Sequence, residues 1–136
     1  EVDPEEIERL EGKLTQDPND LPTLERLGHL YLQENNFEKV FETAHQALQT
    51  GKKSPESFAH MGIALFAQQD SEGAMRLLDK ALELNPNHPE SLFFKGMLYM
   101  STGEIEKTKE TWKKFVKVSP PGTTGLEKVR MFLENQ

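Results

Sequence analysis

The sequence predicts an all-α fold, an array of repeated helix pairs, on three observations. Gly28, Gly62 and Gly96 stand 34 residues apart. Each sits in one apolar frame, "LERLGHLYL" (24–32), "FAHMGIALF" (58–66) and "LFFKGMLYM" (92–100), with a large apolar residue four before the glycine (Leu24, Phe58, Leu92) and another three after it (Tyr31, Leu65, Tyr99). Each frame then runs into a polar break, "QENNF", "QQDSE" or "STGEI", before a second apolar helix, and the last two repeats close at Pro86 and Pro120, again 34 apart. Units of this period bury their apolar faces only against their neighbours, which makes a solenoid.

Taken in order, residues 1–20 hold Ile7, Leu10 and Leu14 on one helical stripe, a leading helix that reads as the second half of a truncated repeat and an N-terminal cap. Residues 21–54, 55–88 and 89–122 form the three repeats. In each, the glycine lets two helices approach where a side chain would wedge them apart, and Ala74 and Ala81 do the same from the second helix. Pro86 and Pro120 stop their helices, lacking a donor and clashing with the preceding turn. Residues 123–136 place Leu126, Val129, Phe132 and Leu133 at helical spacing, a C-terminal helix that covers the last pair.

Bulk properties narrow the function. The 136 residues suffice for one domain. The absence of cysteine excludes disulfides, thiolate metal sites and a cysteine nucleophile. The net charge of −7 is uneven: residues 1–50 carry 12 acids and 4 bases, residues 51–136 carry 11 acids and 12 bases. An acidic chain repels phosphate backbones, so no nucleic-acid partner is expected. The run Lys107, Lys109, Lys113, Lys114 and Lys117 reads as a solvated helix face. No stretch has the length of apolar sequence a membrane helix needs. The chain begins at Glu1 without methionine, which predicts a fragment of a longer protein.

The repeat resembles the tetratricopeptide repeat, a helix pair with a bulky residue, Leu, Gly and Tyr in the first helix and Ala, an aromatic, Ala and Pro in the second. Leu24, Leu27, Gly28, Tyr31, Phe37 and Ala47 match in the first repeat; Phe58, Gly62, Leu65, Ala74, Leu78, Ala81 and Pro86 in the second; Leu92, Gly96, Tyr99, Trp112 and Pro120 in the third. The third departs at Lys95, Thr108 and Phe115, which predicts looser or reshaped packing there. The resemblance implies a right-handed α-α superhelix whose first helices line a concave groove. Among the residues it places there are Glu25, His29 and Leu32 from the first repeat, His60, Ile63 and Phe66 from the second, and Phe93, Phe94, Met97 and Met100 from the third. The lining grades from polar to apolar. Members that grip a chaperone's C-terminal carboxylate do so with Lys, Arg and Asn; the matching slots hold Glu25, His29, His60, Glu90 and Phe94, so no such clamp is expected.

What fits such a groove is a hydrophobic or amphipathic peptide, laid in as helix or strand. Each large side chain buried contributes roughly 1.5–3 kcal/mol before association and ordering costs, which leaves affinity in the region of about micromolar. Two alternatives stand beside it. The apolar side chains could be covered by the chain's own C-terminal helix or by a second copy, making a self-associating scaffold, or the chain could be the regulatory segment of a larger protein. His29 and His60, on neighbouring groove helices with Glu25 or Glu56 nearby, read as hydrogen-bonding groups; without an HxxxH or HExxH spacing no metal is expected. His45 and His88 fall on an outer helix and in a loop. "TGKKS" (50–54) lacks the leading glycine and strand of a phosphate-binding loop. Trp112 reads as inter-helix filler. No cofactor and no catalysis are expected.

More narrowly, the leading "IERLEGKLTQDPNDLPTLERLGHLYL" (7–32), the "ETWKKFVKVSP" helix and the short trailing helix resemble the tetratricopeptide domains of bacterial c-type cytochrome maturation, of the CcmI/NrfG kind. That resemblance implies a periplasmic domain, hung from a membrane anchor outside this chain, that binds the C-terminal segment of an apocytochrome or a partner in haem ligation. Without it the chain would be read as cytoplasmic.

Overall fold

Helix starts are written locally in this sequence. Pro4, Pro55 and Pro89 each open a helix, where a missing N–H costs nothing, and Asp3, Asn36, Ser54 and Asp70 each accept from a first-turn backbone N–H. The computed structural model describes residues 2–136. These form α1 (Pro4–Gln16), α2 (Leu21–Gln33), α3 (Phe37–Gln49), α4 (Pro55–Ala67), α5 (Ser71–Leu84), α6 (Pro89–Ser101), α7 (Ile105–Val118) and α8 (Leu126–Glu134), with no strand among the described residues. The all-α solenoid expected from the sequence is the fold observed.

The pairs α2/α3, α4/α5 and α6/α7 stack in sequence, and each first helix also touches the next first helix. The turns inside the pairs repeat in register: Asn35, Gln69 and Gly103, 34 residues apart, all adopt the left-handed conformation, at φ 58°, 67° and 78°. The ends differ. α5 and α7 stop just ahead of Pro86 and Pro120, while α3, which has Lys52 in the proline slot, stops with Gly51 at φ 79°.

Three apolar clusters follow one another along the array. Leu10, Leu27, Leu30, Tyr31, Val40 and Ala64 form the first; Ala59, Ile63, Ala74, Leu78, Ala81 and Leu98 the second; Leu92, Trp112, Phe115, Leu126 and Val129 the third. α1 and α8 cover the two ends, with Leu10 buried at one and Leu126 and Val129 at the other. α1 is also tied down by Arg26, which forks onto both carboxylate oxygens of Glu6 at 2.9 and 3.1 Å.

The third repeat's departures each have a packing reason. Lys95 reaches Asp79 of α5 at 2.8 Å with its stem half-buried. Thr108 is fully buried and its hydroxyl donates to the Glu104 carbonyl at 3.0 Å. Phe115 is fully buried between α6, α7 and α8. The repeat is reshaped by these residues, and it is not loose. The lysine run is exposed at Lys107, Lys113, Lys114 and Lys117, with Lys109 half-buried and paired to Glu106 at 3.4 Å.

Candidate groove on the inner helix face

α4 and α6 carry large apolar residues on two sides because the helices are used on two sides. On α6, Leu92, Gly96 and Leu98 are buried toward the neighbouring helices, whereas Phe93, Phe94 and Met97 are half-buried on the inner face. There they line an open groove of about 1160 Å³ that runs across α2, α4 and α6 to the segment before α8. Nine of the ten residues placed in the groove by sequence lie along it: Glu25, His29, Leu32, His60, Ile63, Phe66, Phe93, Phe94 and Met97. Two of these, His60 and Ile63, are almost wholly buried in its floor. Met100 is a correction: one turn beyond Met97, it packs against the Leu92–Trp112–Phe115 cluster and leaves the lining.

An aromatic row connects the groove to the C-terminal cap. Phe66 and Phe94 meet edge-on at 6.5 Å, Phe94 and Phe93 at 5.2 Å, Phe93 stacks on Trp112 at 6.0 Å, and Trp112 meets Phe132 of α8 edge-on at 5.1 Å. Trp112 also donates its indole N–H to the Phe93 carbonyl at 3.1 Å, so it is inter-helix filler with an anchored polar edge. Gly125, at φ 87°, brings the α8 start so close that a Cβ there would stand 2.6 Å from the Phe93 ring. The chain's own C-terminal segment therefore covers Phe93 and closes one end of the groove with Thr123, Thr124 and Lys128. Phe94 and Met97 are left facing the open part.

The polar end is built differently from the sequence expectation. The acid that meets His29 and His60 is Glu90 of α6, and neither Glu25 nor Glu56. Its two oxygens lie 3.1 Å from His60 Nε2 and 3.7 Å from His29 Nδ1, so one carboxylate ties together the first helices of all three repeats. Burial alone would raise the Glu90 carboxyl, but the two imidazoles outweigh it and hold it well below the usual carboxylate range. Gly28 makes the arrangement possible, since a Cβ there would stand 2.6 Å from His60 Nδ1. Glu56 pairs with His88 at 3.4 Å and is held below its ordinary value chiefly by that hydrogen bond. His88 is no loose loop residue: it caps α6, is buried, and shares a 2.7 Å hydrogen bond with Ser91. Glu25 has no counterpart of either kind; its Oε2 is buried without a hydrogen-bond partner. No set of three side chains is placed to hold a metal ion among the described residues. Sequence reasoning missed Glu90, Glu56, His88 and Phe37 in the lining; only the recurrence of Glu56 and Glu90 at one repeat position offered a signal.

A depressed carboxyl stabilises the fold above its unfolded value and loses that contribution as pH falls. Replacing Glu90 by Gln is therefore expected to cost about 1.5–3 kcal/mol near neutral pH. The gap from the parent protein should close as the pH drops below about 5. Urea midpoints measured across that range check it; a gap independent of pH would show that the charge is not what counts.

Comparison with known proteins gives the same picture of the fold. Tetratricopeptide-repeat family models match residues 55–88 and 89–121. The photosystem I assembly protein Ycf3 of Prochlorococcus marinus is 27% identical over 121 residues, covering 72% of this chain and 68% of that protein. The formate-dependent nitrite reductase complex bifunctional subunit NrfFG of Haemophilus influenzae is 32% identical over 89 residues, but this chain spans only 23% of it. Among solved structures, YrrB, described as a tetratricopeptide-repeat protein with an unusual peptide-binding site, superposes with a TM-score of 0.63 at 20% identity, covering 97% of this chain and 72% of that one.

Proposed function

The chain is a tetratricopeptide-repeat protein, a protein-interaction module, and from that premise we propose that its inner groove receives a hydrophobic or amphipathic peptide segment of a partner protein. The observation that carries this reading is the half-buried Phe94–Met97 surface, which the chain's own cap leaves uncovered beside an open groove. YrrB, a likeness of fold, is a precedent for peptide binding on such a scaffold. Methionine in the wall suits ligands of several shapes. We read the module as non-catalytic: three of its histidines are occupied by Glu90 and Glu56.

The finer proposal is that the partner is the C-terminal segment of an apocytochrome c, or a haem-ligation component, with a membrane anchor outside this chain. The likeness to NrfFG supports it. Titration with such C-terminal peptides, read through Trp112, the single tryptophan and a wall of the groove, tests it against scrambled controls.

The groove itself is tested by Phe94→Asp with Met97→Asp. Helicity and melting are expected to stay close to the parent while peptide binding is lost. An unfolded double variant would make those side chains core and overturn the reading, and so would undiminished binding.

A further inference from the structure

Resting on the groove reading above, we propose that the ligand carries a cation, a lysine or arginine side chain, that docks on Glu25 while its apolar residues lie on Phe94 and Met97. Glu25 faces the groove from α2, and its Oε2 is shut away from water with no donor to meet it. A buried carboxylate oxygen left in that state is costly, and the cost is recovered when a charged donor arrives. The other two acids of the lining are already engaged, Glu90 by His29 and His60 and Glu56 by His88. Glu25 makes no ion pair with any described residue, so it is the acid free to take a ligand's charge.

The charge layout gives the ligand a direction. The acids Glu25, Glu56 and Glu90 belong to the end and middle of the groove nearest the first repeat, while the lysine of the lining, Lys128, stands on α8 at the other end. A segment with its cation toward α2 and its apolar side chains toward α8 matches this layout; the reverse orientation sets a cation against Lys128 and leaves Glu25 unmet. Glu25 and Phe94 are on the first helices of the first and third repeats, two interaxial spacings apart. That is about 16–20 Å, a span an α-helix covers in about 11–13 residues and a strand in about 5–6.

The test uses fluorescein-labelled peptides with Leu and Phe close together at one end and a single Lys placed about 12 residues away in a helical peptide or about 6 away in an extended one, each paired with a version carrying norleucine for Lys. Anisotropy titration is expected to give binding at least about tenfold weaker for norleucine with the parent protein, and no difference between the two with Glu25→Gln. Norleucine binding the parent as well as Lys would overturn the cation assignment while leaving the groove standing; because that comparison uses the parent alone, it decides the matter even if Glu25→Gln unfolds. A Lys preference that survives in folded Glu25→Gln would also overturn it. No binding by any peptide of either spacing would overturn this inference and the groove reading together.

Discussion

Phe115→Ala is expected to lower the unfolding free energy by about 3–5 kcal/mol, even though it installs the small residue that the repeat pattern calls for at that position. In the first two repeats the equivalent residues are Ala47 and Ala81, both buried, on helices that pack against the next repeat's first helix. The third repeat has no next repeat. Its neighbour is α8, and the space between α6, α7 and α8 is filled by the Phe115 ring, wholly buried with Leu92, Trp112, Leu126 and Val129 and 5.5 Å from the Phe93 ring. Alanine there leaves a cavity that the surrounding rings cannot close without losing contact with one another. Urea unfolding followed by far-UV circular dichroism measures it. A loss below about 1 kcal/mol would mean that α8 slides in to refill the space.

Gly96→Ala is the second large effect, expected to destabilise by about 1–3 kcal/mol. Alanine is the better helix former by about 1 kcal/mol, so on propensity alone the change would stabilise. The Trp112 indole decides the sign. It lies across Gly96 so closely that a methyl group would fall inside its van der Waals envelope, nearest to Nε1 and Cδ1. The ring cannot simply swing away: Phe93 stacks on one side, Phe132 abuts it, and its N–H is bonded to the Phe93 carbonyl. Displacing it breaks that bond and disturbs the whole aromatic row. Because Trp112 is the only tryptophan, its emission should shift in the folded variant, which separates this mechanism from a general loss of helix stability. A more stable Gly96→Ala with unchanged emission would contradict the packing described.

These two sites mark where the sequence was easy to read and where it was not. The spacing of Gly28, Gly62 and Gly96 reveals the array because close helix approach leaves a signature in residue size, and size repeats with the structure. The functions of Lys95, Thr108 and Phe115 were hidden because each works through a partner outside the repeat pattern: Asp79 for the lysine, a local carbonyl for the threonine, and α8 for the phenylalanine. The groove was legible as a face, since helical spacing tells which way Phe94 or Met97 points. It was not legible as chemistry. That His29 and His60 meet on Glu90 depends on the reach of three side chains from three helices, and a repeat position says nothing about reach. Met100 was misplaced for the related reason that the inner face turns toward the cap at its last turn.

The order in which the helices touch also bears on how the molecule forms. Every helix in contact with another lies within two elements of it along the chain, from α1 against α2 to α7 against α8, and none reaches back to close the array. With no distant segments to bring together, little loop-closure entropy stands in the way, and a topology of this kind folds at the fast end of the microsecond-to-millisecond range. Nucleation is free to begin at any adjacent pair and spread both ways. The residue that ties three helices at once, Glu90, can engage only after that spreading has passed through α2, α4 and α6, so the groove is completed late, after the scaffold that carries it.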